Sequence, residues 1–173
     1  MQRINLRVIA QIGVALALAA VLSMVKLFQM PQGGSVSLET LPIIIMALLY
    51  GPRIGILTGF MYGLFQLLLG PFIVHPIQLL LDYPLPFAAL GLAGIWKKRQ
   101  PLGIAVGFAF RLSFHVISGA VFFAEYAPEG VPVWQYSLGY NSSYIVPEAI
   151  LIGLLGIWLS RSIERRGILS SGA

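Results

Sequence analysis

Six apolar runs, joined by short polar or Pro/Gly-containing connections, fill most of the chain. They lie at about 6–28, 37–51, 53–70, 76–96, 101–124 and 135–160. A backbone in lipid must satisfy its own hydrogen bonds, so runs of this kind fold as transmembrane helices. The second run falls short of the roughly 20 residues that a span requires. That helix is expected to stop below the surface or to be capped by a loop dipping inward. Charged residues are 10% of the chain and mean hydropathy is +0.87, whereas a soluble domain carries about a quarter charged residues. The expected fold is therefore all-α, one membrane domain of six transmembrane helices over residues 1–173. The first run leads on into this bundle and reads as a span, not as a cleaved signal. Cysteine is absent, which excludes disulfides and thiolate metal sites. No metal site and no cofactor are expected.

Orientation follows from the basic residues. Six spans put Arg3, Arg7, Arg53, Lys97, Lys98, Arg99, Arg161, Arg165 and Arg166 on one side. The other side receives Lys26 with Glu39, Glu125 and Glu129. The positive-inside rule then makes both termini cytoplasmic. The net charge of +5 belongs to these membrane flanks and does not point to nucleic acid.

Small residues suggest where helices approach closely. Gly51, Gly55, Gly59 and Gly63 recur every four residues along the third run, a stripe suited to packing inside the bundle. Ala10, Gly13, Ala17 and Ala20 form a similar face on the first helix, with Ala15 and Ala19 as a parallel register. Such a face packs internally or docks a partner, and the sequence alone does not choose.

Polar residues inside the spans point to function. Asp82, Arg111 and His115 each cost roughly 2.5–3.5 kcal/mol at a helix centre unless they face a cavity or a partner. At 1.5 Å per residue, Asp82 lies about 9 Å below the outer surface, His115 about 13 Å and Asn141 about 9 Å, with Tyr136 near the rim. Phe122, Phe123, Tyr83, Tyr140 and Tyr144 fall nearby. This predicts an outward-facing pocket holding a carboxylate, an imidazole, an amide and aromatic rings, suited to a flat cationic ligand. Trp134 and Tyr126 read instead as interfacial belt residues. Arg111 and Glu148 both lie about 20 Å down, which suggests a structural ion pair. Pro84 and Pro86 should kink the fourth helix beside Asp82, and Pro147 is a second candidate kink. The loop over 29–36 contains Gly33 and Gly34, lies above the pocket and is a candidate lid.

Four blocks carry a family resemblance. They are Met30-Pro31-Gln32-Gly33-Gly34-Ser35-Val36-Ser37; His75-Pro76-Ile77-Gln78-Leu79-Leu80-Leu81-Asp82-Tyr83; His115-Val116-Ile117-Ser118-Gly119-Ala120-Val121-Phe122-Phe123; and Tyr126 to Gly130 with Trp134 to Leu138. The chain resembles the thiamin-specific substrate-binding (S) component of energy-coupling-factor (ECF) transporters. The resemblance implies a six-helix protein of the cell membrane that binds thiamin. It also implies partners: a transmembrane coupling subunit and two cytoplasmic ATPases. The family's binding residues match Asp82, Tyr83, His115, Gly119, Phe123, Tyr136 and Asn141. Asp82 stands where the family usually has glutamate, and Phe123 where some members have tryptophan. Thiamin's thiazolium would face Asp82, and its aminopyrimidine would use His115, Asn141 and the rings. The family's docking pair on the first helix matches Gly13 and Ala17.

No Gly-x-x-x-x-Gly-Lys-Ser/Thr motif occurs, so the chain is expected not to be an enzyme and not to hydrolyse ATP itself. Concentrative uptake then needs a partner or an ion gradient. Other readings are a solitary proton-coupled carrier using Arg111, Glu148 and His115, an S component for another vitamin, and a passive scaffold. An intramembrane hydrolase using Asp82 with His115 or His75 would need a nucleophile or metal that no motif supplies.

Overall fold

The computed structural model describes residues 5–167; Arg3 lies outside them. The chain is a multi-pass helical membrane bundle. Its helices are α1 (Leu6–Ser23), α2 (Leu41–Tyr50), α3 (Pro52–Gln66), α4 (Pro76–Asp82), α5 (Pro84–Leu90), α6 (Gln100–Phe122) and α7 (Val133–Arg165). α4 and α5 are the two halves of the fourth run. Among the described residues, four stretches are long and apolar enough to cross a membrane by themselves: Leu6–Ser23, Pro76–Gly94, Lys97–Phe122 and Val133–Arg165. α2 has 10 residues, about 15 Å of helix. The segment that feeds it dips into the bundle, with Ser37, Glu39 and Thr40 all buried.

Local chemistry sets the helix ends. Asn5 caps α1 by accepting from the Val8 N–H at 3.0 Å. His75 caps α4 through Nδ1, which accepts from the Ile77 N–H at 3.1 Å, with Pro76 as the first helical residue. Gly51 (φ +87°) ends α2 and starts α3, a backbone conformation that a Cβ would strain.

Two expectations need correction. The first run does not stay helical to residue 28. Lys26–Gln29 forms strand β1, antiparallel to β2 (Ser35–Ser37), with an irregularity between Lys26 and Phe28. Gly33 (φ +92°) and Gly34 (φ +84°) turn the chain at the tip, so the candidate lid is a β-hairpin. Pro147, in contrast, does not divide the last span: α7 runs through it without a break.

The fourth span is broken as its prolines require. Pro84 and Pro86 have no N–H to offer the carbonyls of Leu80 and Asp82, so the α4 ladder stops. Tyr83 sits at the break with φ −117° and ψ −82°. Beyond the break α5 packs on α3 and α6, while α4 finds its main neighbours in α6 and α5. The glycine stripe explains the first contact. A Cβ on Gly59 would fall on the Phe87 carbonyl, and one on Gly63 on the Tyr83 carbonyl and the Pro84 Cα. The α3 and α5 backbones therefore touch almost directly. On α1, Ala15 and Ala19 are buried against the bundle, while Gly13 and Ala17 lie on the exposed face. A Cβ on Gly13 would meet nothing within 4 Å.

Candidate ligand-binding site

Where α4 leaves α3, a cavity of about 650 Å³ opens. Gln66, Leu69 and Gly70 line one side of it, Gln78, Asp82 and Tyr83 another, and the hairpin tip at Gln32–Ser35 also contributes. His115, Gly119 and Phe123 enter from α6 and its end, and Tyr136, Asn141 and Tyr144 from α7. All seven residues singled out as a binding set thus share one wall system, although they come from three separate stretches of sequence.

Asp82 is held in place before any ligand is considered. One carboxylate oxygen accepts from Gln78 Nε2 at 2.6 Å, and the other lies 3.3 Å from His115 Nδ1. A carboxylate only accepts, so His115 Nδ1 carries the proton of that bond. His115 Nε2 is buried and has no protein partner. Gln78 is itself almost fully buried. It ties Asp82 to the loop before α4 by accepting from the Val74 N–H at 3.1 Å and donating to the Phe72 carbonyl at 3.1 Å. The Tyr83 hydroxyl accepts from the Phe72 N–H at 2.9 Å. Tyr83 therefore fixes the same loop as well as lining the cavity.

The α6–α7 wall depends on close approach. A Cβ on Gly119 would strike Ser137 Oγ and press on Asn141 Nδ2, so glycine there admits α7. The Asn141 amide is already engaged within the chain. Its nitrogen donates to the Ser137 carbonyl at 2.9 Å, and its oxygen accepts from the Tyr144 hydroxyl at 2.7 Å. Phe123 lies against Phe72 at 6.1 Å and Tyr126 at 6.2 Å between ring centroids. Tyr126 also lines the cavity, which corrects its reading as a belt residue. Trp134 is 62% exposed, as a lipid-facing ring is. His75 caps α4 and stacks on Phe122 at 5.1 Å, so it serves helix geometry and is not paired with Asp82.

At the cavity floor lies a cluster only partly visible in the sequence. Arg111 Nη2 is 3.5 Å from Glu148 and 3.9 Å from Glu39. The Arg111 guanidinium also lies over the Phe87 ring, 4.8 Å from its centroid. Glu39 accepts from Tyr62 at 3.0 Å and from Gln66 at 2.8 Å, and Glu148 accepts from Thr40 at 2.8 Å. The charge pattern of the sequence places Glu39 with the outer loops. It is buried because the chain dips before α2, and the shortness of the second run was the available signal. Nor does the sequence single out Gln66 and Tyr62. Their i, i+4 spacing, in step with Gly59 and Gly63, was the clue. Glu39 and Asp82 line this cavity together with Lys26, Arg111 and His115, and Glu148 is buried behind Arg111. Among the described residues no group of His, Cys, Asp and Glu is arranged to hold a metal ion.

Comparison with known proteins decides the family. The profile described as thiamine transporter protein (Thia_YuaJ) matches residues 9–166. The chain belongs to this thiamine transporter family. A relative named thiamine transporter ThiT from Bacillus subtilis (strain 168) is 40% identical over 84% of this chain and 85% of its own length. The ThiT of Lacticaseibacillus paracasei is 30% identical, over 69% and 70%. The solved structure of ThiT from Listeria monocytogenes shares the fold, with a TM-score of 0.83 at 21% identity over 92% of this chain and 96% of that one. Within the thiamine transporter family, the Asp82–His115 pair, the aromatic walls and the hairpin above them form the cavity of this member.

Proposed function

We propose that this chain binds thiamin in the α3–α4–α6–α7 cavity and delivers it across the cell membrane as the S component of an ECF transporter. The observation that carries this reading is the Asp82–His115 pair set among aromatic walls. Thiamin offers a permanent cation for Asp82 and an aminopyrimidine for His115 Nε2 and the rings. Stacking on Phe123 or Tyr136 adds about 0.5–1.5 kcal/mol per ring pair beyond burial. The family membership supports the substrate class. The Asp82 carboxylate, bonded to Gln78 and His115 rather than to Arg111, supports the cationic half of the pose, and the hairpin tip on the cavity wall supports a lid.

The chain has no ATP-binding motif, so energy comes from partners: a transmembrane coupling subunit and two cytoplasmic ATPases. Gly13 and Ala17, one turn apart on the exposed face of α1, are the proposed docking pair. Their lack of bulk lets a partner helix approach closely. Both termini are then cytoplasmic, with Arg53, Lys97, Lys98, Arg99, Arg161 and Arg165 at that surface.

Uptake of labelled thiamin, with and without a coupling module, tests the whole reading. Accumulation is expected only with the module present and ATP available. Gly13→Trp is expected to abolish accumulation and leave thiamin binding by the purified chain intact. Accumulation driven by a proton gradient without any module would establish a solitary carrier instead.

A further inference from the structure

The hairpin is fastened at two places, and the fastenings differ in kind. Its root is built into the bundle. Ser37 and Thr40 are fully buried, and Glu39 is held by Arg111, Tyr62 and Gln66. These bonds involve charged groups away from bulk water, the strong class of hydrogen bond. β1, by contrast, is exposed along its whole length. Two α7 side chains bond to the turn: Ser143 reaches the Met30 sulfur at 3.6 Å, a weak contact, and Tyr140 makes the two short bonds. The Tyr140 hydroxyl accepts from the Gln32 N–H at 2.9 Å and donates to the Gly33 carbonyl at 2.8 Å. A single phenol thereby closes a two-point clasp on the backbone of the turn.

The turn fits that clasp because it carries no side chain at its apex. A Cβ on Gly34 would collide with the Tyr144 ring, and Gly34 also has φ +84°. The tip therefore lies flat on Tyr140 and Tyr144, whose rings meet edge to face at 6.3 Å. Gln32, Gly33 and Gly34 together form part of the cavity wall.

We propose that the Tyr140 hydroxyl is the latch of this flap: it holds the hairpin tip shut over the cavity and so sets how fast a ligand enters and leaves. This rests on the reading of the cavity as a thiamin site. Both bonds of the clasp are made within the chain, so they oppose opening whether the cavity is empty or filled. Loss of the latch consequently speeds both entry and exit. A residue that only touched the ligand would change exit alone. The root stays anchored by Glu39 and Thr40, so opening is a movement of the tip on a fixed base.

The test measures association and chase dissociation of labelled thiamin on the purified full chain, for the parent, Tyr140→Phe and Gly34→Ala. Tyr140→Phe keeps the ring and removes both bonds of the clasp. Gly34→Ala keeps the hydroxyl and prevents the tip from seating. Two neutral hydrogen bonds at a half-exposed site predict about a three- to thirtyfold rise in each rate. The equilibrium constant should move much less than either rate, and both variants should shift in the same direction. A rise in the dissociation rate alone, or no change in either rate, would overturn the latch. Failure of the parent to bind thiamin at all would instead overturn the ligand assignment on which it rests.

Discussion

The two halves of the broken fourth span share a sequence neighbourhood and have opposite surroundings. α5 lies so close to α3 that Gly59 has no space for a methyl group beside the Phe87 carbonyl. α4, on the other side of Tyr83, leans on α6 and leaves the cavity between itself and the end of α3. The same span is a packing element on one side of the break and a cavity wall on the other. Pro84 and Pro86 produce the difference, because they end one hydrogen-bond ladder and let the next start in a new direction. The divergence of α4 from α3 opens the space that the cavity occupies.

If that contrast is correct, substitutions on the two sides of Tyr83 should separate stability from binding. Gly59→Leu should have the largest effect. It forces a side chain into backbone contact, where overpacking costs about 3 kcal/mol or more, and should lower the melting temperature sharply or prevent recovery of folded protein in detergent. A variant with parental stability would mean that α3 and α5 are not pressed together as described.

On the cavity side, Gln78→Leu should leave the fold standing and weaken binding. It removes the 2.6 Å bond that orients Asp82. A hydrogen bond to a charged group contributes about 1.5–3 kcal/mol, and part of that passes to the ligand. Affinity measured by titration should fall by about tenfold. An unchanged affinity would show that Asp82 does not depend on Gln78 for its position.

The smallest expected effect is at the rim of the cavity. Phe123→Ala should cost about 0.5–1.5 kcal/mol of binding beyond lost burial, and Phe123→Trp should match or exceed the parent. Equilibrium binding of both variants checks this. Equal affinity for Ala and Phe would move the stacking role to another ring, with Tyr136 and Tyr126 the next to examine.

How much of this was legible beforehand depended on the kind of signal. The spans were readable because lipid enforces apolar length, and the break at Asp82 because proline removes a specific donor. The pocket residues on α6 and α7 were readable from depth along a helix, which is simple arithmetic once an entry point is known. The hairpin was not readable: Lys26–Gln29 looks like the end of an apolar helix, and its pairing with Ser35–Ser37 is a tertiary matter. Glu39 was hidden for a related reason. A charge at the end of a loop is ordinarily solvated, and only the inward dip before α2 brings it to Arg111. The glycine stripe on α3 and the small face on α1 look alike in sequence. Only the fold shows that one is filled by α5 and that Gly13 on the other faces outward.

In the proposed function, Asp82 recognises the positive charge of thiamin. A double-substitution cycle tests it most directly. Thiamin and a neutral analogue with thiophene in place of thiazolium are titrated into the parent chain and into Asp82→Asn, with melting temperatures recorded alongside. The parent is expected to prefer thiamin by about ten- to a hundredfold, the worth of one charge-assisted contact. This preference should largely disappear in a folded Asp82→Asn variant. A preference that persists undiminished in the variant would remove Asp82 from the recognition of the cation.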